Sequence, residues 1–201
     1  MGSDSQLAGH LGSWSKFHQC NGKTGKEYQN WVSNMVSQCN RLSLPLMSPA
    51  GATLTIGGVE DTIYRDKPGE VNGWGKFYLE DEVNMQVIGV VEGTYCPYDL
   101  VLMTCEDKKI YAYDGEELHL VAPGLKQLRD EGIEYPASKS YYNGEAFKNM
   151  TEEDWDKVRK GPVGRRLDEE HRKVVTANKS RFIQSLKNSR MKRRMRLIEA
   201  S

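Results

Sequence analysis

The chain has 201 residues, 38% of them apolar and 28% charged, with 28 Lys and Arg balancing 28 Asp and Glu. So polar a chain can bury one modest core rather than two, and no run approaches the roughly eighteen apolar residues of a membrane-spanning helix. Zero net charge conceals an asymmetry: residues 171–201 carry ten Lys or Arg and one acid, Glu199, which leaves −9 on the first 170. A basic segment of that strength is addressed to an acidic surface.

Nothing near the N-terminus has the charge and apolar pattern of a secretory signal. Gln6 stands where the myristoylation pattern after Gly2 requires Ser or Thr. Cys20, Cys39, Cys96 and Cys105 lack CxxC spacing, so the expectation is free thiols in a reducing compartment and a cytoplasmic protein.

In chain order, residues 1–24 are rich in Gly and Ser, with isolated Trp14 and Phe17, and read as a polar arm. Tyr28, Trp31, Val32, Met35 and Val36 then fall at helical spacing, predicting a helix over 27–38. Thr24 and Glu27 have the spacing of a capping box. Short β-type runs follow at 42–47, 52–56, 75–79, 84–91, 99–105 and 108–113, separated by Pro, Gly and polar turns. Glu106–Asp107 is expected to join the last two, and Asp114–Gly115 to end the last strand. Residues 57–73 show no helical period. Leu118, Val121, Leu125 and Leu128 return to helical spacing; Pro123 marks the expected helix start and Gly132 its C-terminal stop. The compact unit, 25–134, is therefore expected to be α+β: an antiparallel sheet of about six strands with N- and C-terminal helices packed on one face.

The two terminal helices carry a family resemblance. Tyr28-Gln29-Asn30-Trp31-Val32-Ser33-Asn34-Met35-Val36 resembles the opening helix of profilins. Gly124-Leu125-Lys126-Gln127-Leu128-Arg129-Asp130-Glu131-Gly132-Ile133 resembles their closing helix. The resemblance covers about 27–133 and implies a cytoskeletal binding protein that takes proline-rich ligands on aromatic side chains, here Tyr28 and Trp31 with Ile133 completing the groove. Tyr135, Pro136, Tyr141 and Tyr142 offer an internal cover for such a groove. Where profilins are basic toward actin, this chain has Glu80, Asp81, Glu82, Glu92, Asp99, Glu106 and Asp107, which opposes ordinary actin-monomer binding.

No constellation points to catalysis, to a metal or to a cofactor. Gly22-Lys23-Thr24 lacks the earlier glycine of a phosphate loop, where Phe17 stands instead. His10, His18, His119 and His171 have no nucleophile or paired acid at telling spacing. The expectation is a non-catalytic protein.

After a tyrosine- and turn-rich linker at 135–150, Thr151 is expected to cap a short helix rich in acids at its start, ending at Gly161–Pro162. Asp168 is then expected to cap a long basic helix reaching about Ile198. Arg172, Lys173, Lys179, Arg181, Arg190, Lys192, Arg193, Arg194 and Arg196, with Phe182 and Leu186, are its candidate contacts to an acidic partner. The leading expectation is an adaptor anchored by this tail to an acidic cytoskeletal filament or assembly, actin or tubulin. A microtubule or ciliary axoneme component is an alternative, since acidic tubulin suits the tail. Nucleic-acid binding through Arg190–Arg196 and calmodulin capture remain open, although that segment has no neighbouring aromatics to stack bases.

Overall fold

The computed structural model describes the backbone of residues 22–199 and the side chains of residues 22–189. The chain divides into two units between Lys148 and Asn149. Most of the polar arm, with Trp14, Phe17 and Cys20, lies outside the described residues.

The first unit, the body, is α+β. Helix α1 (Gly25–Gln38) leads into strands β1 (Ser43–Pro45) and β2 (Thr53–Ile56), then a 3-10 turn (Val59–Asp61) and helix α2 (Pro68–Trp74). Strands β3 (Gln86–Glu92), β4 (Leu100–Thr104), β5 (Ile110–Tyr113) and β6 (Leu118–Ala122) follow, then helix α3 (Leu125–Asp130) and strand β7 (Ser140–Tyr141). All seven strands form one antiparallel sheet in chain order, each paired with the next.

The sheet is covered on both faces. On the first, α1 lays down Tyr28, Val32, Met35 and Val36, and α3 adds Leu125 and Leu128. Beneath them lie Leu44, Leu54, Ile56, Ile88, Leu100, Leu102, Ile110 and Ala112. On the second, residues from the β2–β3 connection, chiefly Tyr64, Trp74, Tyr78 and Leu79, cover Val87, Val101, Met103, Tyr111, Tyr113 and Leu118. Strands buried on both sides lose the apolar–polar alternation, which is why every residue of β4 and β5 is buried.

Several expectations need correction here. Residues 57–73 do contain helix, a 3-10 turn and all but the last residue of α2: Pro68 occupies the first turn of α2, where a missing N–H costs nothing. The run at 75–79 is not a strand; Tyr78 and Leu79 are buried as the lid over the second face. Leu118–Ala122 is a strand rather than helix, and a register shift opposite Ile110–Tyr111 leaves Val121 between the paired residues Leu120 and Ala122. Leu118 and Val121 therefore serve opposite faces of the sheet. Their spacing of three imitated a helical turn.

Residues 135–148, expected as linker, belong to the body. Ser140 and Tyr141 pair with His119 and Leu118, and Gly144 N and Ala146 N both donate to Phe77 O. The Thr24–Glu27 capping box is not formed by side chains; Glu27 instead pairs with Lys23 at 2.8 Å. Gly132 does sit just past α3, at φ +85°, and a Cβ there would come 2.2 Å from Ser48 O. Ile133 N donates to Ser48 O and Glu134 N to Val121 O, both at 2.8 Å, so this glycine lets the chain cross from α3 back to the sheet.

The second unit, the arm, is helical. Helix α4 (Glu152–Lys160) has Thr151 as its cap: Asp154 N donates to Thr151 Oγ1 at 3.3 Å, and Thr151 N donates to Asp154 Oδ2 at 3.2 Å. Helix α5 (Pro162–Glu199) then runs for 38 residues. Asp168 is inside α5 and does not cap it; the helix begins six residues earlier because Pro162 fits a first turn. Among the described residues no helix is long and apolar enough to cross a membrane.

Candidate functional site

The reactive side chains of the body serve as structural ties. Cys105 Sγ donates to Asp107 Oδ1 at 3.1 Å, and the Tyr111 hydroxyl donates to Asp107 Oδ2 at 2.7 Å. Burial above all, and then that carboxylate, pushes the Cys105 thiol up to about 12, so it stays protonated and is a poor nucleophile. Burial works against the charge on Asp107, yet hydrogen bonds from Tyr111, Cys105 and Lys109 hold its carboxyl below the ordinary range. The group locks the β4–β5 connection, where Lys108 takes a positive φ of 66°.

His119 behaves in the same way. Its Nε2 lies 2.9 Å from Asp114 Oδ2, while Asp114 Oδ1 accepts from the backbone N–H groups of Glu116 and Glu117. The imidazole meets the Tyr135 ring edge-on at 5.3 Å. The carboxylate thus fastens the β5–β6 turn. Among the described residues no group of three or more His, Cys, Asp and Glu is arranged to hold a metal ion.

The proposed aromatic platform is not an open surface. Tyr28 is only 1% exposed and its hydroxyl lies 3.1 Å from Thr104 Oγ1. Ile133 is buried in the same core, and Trp31 packs against that core at its margin. The expected internal cover is also divided: Tyr135 joins the first-face core, Tyr141 the second, and Tyr142 is exposed. The i, i+3 aromatic pair was legible, but its depth below the surface was not.

The arm presents the clearest unsatisfied surface. At about 100° per residue, Val163, Leu167, Val174, Val175, Phe182 and Leu186 of α5 fall within an arc of about 140°. All six are exposed, Phe182 at 68% and Leu186 at 63%. His171, Asn178, Ser185 and Ser189 fill the rest of the arc without fixed charge, and Asp168 and Arg181 stand at its borders. Arg165, Arg166, Glu169, Glu170, Arg172, Lys173, Lys179 and Lys187 all project outside it. The stripe drifts slowly round the helix, as a repeat longer than 3.6 residues must.

Of the expected contacts, Phe182 and Leu186 lie on the stripe, Arg181 borders it, Arg172 and Lys179 flank it, and Lys173 projects from the far side, all exposed. Lys173 is tied to Glu169 at 3.3 Å, a solvated pair of small energetic weight. The side chains of Arg190, Lys192, Arg193, Arg194 and Arg196 lie outside the described residues. Val163, Leu167 and Val174 were missed as contacts; their signal was the spacing of four and then seven across the misplaced helix start.

Comparison with known proteins gives the body a family. The US22-like family model matches residues 5–140, more than half of the chain. The chain belongs to the US22 family. Among its relatives, Uncharacterized protein 005R of Frog virus 3 (isolate Goorha) is 30% identical over 140 residues, 64% of this chain and 67% of that one. Uncharacterized gene 87 protein of Gallid herpesvirus 2 (strain Chicken/Md5/ATCC VR-987) is 25% identical over 122 residues, covering 59% and 68% respectively. Uncharacterized protein FPV250 of Fowlpox virus (strain NVSL) is 33% identical over 82 residues, 40% of this chain and 59% of its own length. No solved structure matches the chain.

This family membership overturns the profilin resemblance. Two amphipathic helices flanking an antiparallel sheet follow from the need to cover an apolar face, and many unrelated chains meet that need with the same residue pattern. The family match ends at Ser140, so the arm lies beyond it.

Proposed function

We propose that this US22-family protein is a non-catalytic interaction protein whose helical arm docks on an acidic protein surface. The observation that carries the reading is the exposed apolar stripe of α5, with Lys179 and Arg181 at its margins. An isolated helix of this polarity is marginal in water. Burying Phe182 and Leu186 against a partner would supply about 1.5–3 kcal/mol for each fully buried side chain.

The stripe favours a protein over a nucleic acid as partner. Phosphate backbones are met by cations all round the contact and have no use for a strip of Val, Leu and Phe, whereas a helix laid in a groove reads its partner through apolar anchors at such spacing. The test is co-sedimentation of the full chain with microtubules, with actin filaments and with RNA across a salt series. Binding to a protein polymer that weakens with salt, and weakens further in Phe182→Ala/Leu186→Ala with an unchanged salt slope, supports the reading. Tight RNA binding that ignores Phe182 overturns it, and so does the absence at low salt of binding both to these polymers and to a second copy of the chain.

A further inference from the structure

The body has an exposed surface whose chemistry is the complement of the arm. Gly93 lies against Gly51, a Cβ on Gly93 coming 2.8 Å from Gly51 O, so the β1–β2 and β3–β4 loops stand side by side. They carry Met47, Tyr95 and Tyr98 into solvent, Tyr95 at 90% exposure and Tyr98 at 69%. Glu92 and Asp99, both exposed, flank the same β3–β4 loop. From this end, on the second face of the sheet, opens a cavity of about 160 Å3 lined in part by Thr55, Val90, Ile63, Asp61, Glu92 and Asp99. Ile63 is itself 67% exposed.

Met and Tyr are residue types enriched at the centres of protein interfaces; here Glu92 and Asp99 flank the tyrosine loop, and with Asp61 they outnumber Arg41 in the lining of the adjoining cavity. A basic, apolar segment is the occupant this surface fits. The chain carries one: residues 149–201 hold 15 Lys and Arg against 8 acids, net +7, and residues 1–148 hold 13 against 20, net −7. Such a balance draws unlike units of separate copies together at low ionic strength, whereas two arms, both strongly cationic, repel.

We propose that the protein self-associates, the arm of one copy docking on the acidic, tyrosine-bearing end of the body of a second copy. Phe182 and Leu186 meet Tyr95, Tyr98 and the Ile63 cavity, and Lys179 and Arg181 face Glu92 and Asp99. The contact is heterologous: reciprocal exchange closes a dimer, and one-way docking gives an open chain. This rests on the arm's being a protein-docking helix, and it names the partner.

Sedimentation of the full chain over a wide concentration range, at low and at high salt, tests it. The expected result is a particle mass that rises with concentration at low salt and returns to the 22.8 kDa monomer at high salt. Glu92→Lys with Asp99→Lys should weaken association by about tenfold or more, and adding Lys179→Glu with Arg181→Glu to the same chain should restore it. All four side chains are exposed, so an unchanged melting transition confirms that the variants fold. A monomer at every concentration and salt overturns the proposal, as does association that ignores the Glu92 and Asp99 changes or is not restored by the second pair. A monomeric chain that still binds an acidic filament through Phe182 leaves the docking function standing and removes only this partner; loss of both removes both.

Discussion

The body and the arm spend their apolar residues in opposite ways. In the body, Trp74, Leu100, Leu102, Met103 and Ile110 are fully buried, and consecutive residues of β4 serve two different cores. In the arm, six apolar residues recur on one side of α5 and none of them is buried. The same physical rule, that apolar surface leaves water when it can, is satisfied inside the body. In the arm the stripe stays in water.

The sharpest way to break this contrast is to damage one unit and watch the other. Trp74→Ala removes the largest side chain of the second-face core, which meets Tyr64 edge-on at 5.1 Å and Tyr113 at 5.4 Å. It should destabilise the body by about 3–5 kcal/mol. Chemical denaturation followed by near-ultraviolet circular dichroism should show this loss, while the far-ultraviolet signal of the arm persists. Gly132→Ala comes next, since it places a side chain at positive φ against the Ser48 backbone. Its expected cost is about 1–3 kcal/mol, read as a lower denaturant midpoint with an unchanged slope.

Thr151→Ala acts on the arm alone. It removes the Thr151 Oγ1 half of the α4 capping box, leaving the backbone N–H of residue 151 to Asp154, and should cost about 1 kcal/mol of local helix stability, seen as faster amide exchange over residues 152–156 with the body's melting point unmoved. Phe182→Ala with Leu186→Ala should change the body's stability by no more than about 0.5 kcal/mol, as exposed substitutions do, while weakening docking. A large loss of thermal stability in that variant would show that the stripe is part of a core.

The pH dependence sharpens the comparison further, because the shifted buried groups belong to the body. Cys105 is raised from 9.0 to about 12, chiefly by burial and then by its bond to Asp107. Burial also raises Tyr64 from 10.0 to about 12, with Glu70 and Asp114 adding to it. A folded value above the unfolded one means that this stability is complete below pH 9 and is lost as pH rises through about 12. Asp107 and Asp114 are shifted the other way: their contribution is present above the usual carboxylate range and is lost as pH falls through their lowered folded values. Melting points taken across pH should therefore fall at both ends for the body. Cys105→Ala, which removes one of the raised groups, should make the alkaline fall shallower.

Much of this architecture was legible from residue spacing. The first helix, strands β1 to β5, the Thr151 cap and the basic arm all follow from local periodicity, turn residues and charge. What failed did so for identifiable reasons. Leu118 and Val121 sit three apart in both a helical turn and a bulged strand, and only the pairing of β6 with β5 and β7 tells the two apart. Tyr28 and Ile133 looked like a platform because aromatic and apolar residues serve equally well on a surface groove or in a core; their burial depends on α1 and the residues after α3 closing over the same sheet face. The stripe on α5 was seen in part, because the helix start was placed at Asp168, which left Val163 and Leu167 outside it.

By itself the sequence determined the local states and the charge division, since helical propensity, caps, turns and ionisation act over a few residues. Tertiary structure decided which side of each element is covered. It drew the β2–β3 connection over the second face, brought the segment at 135–148 into the body, and set the β3–β4 loop beside the β1–β2 loop at Gly93 and Gly51. Those outcomes depend on contacts between residues far apart in the chain, where the gain from burial must exceed the entropy of closing the loop between them, and no local pattern records that balance.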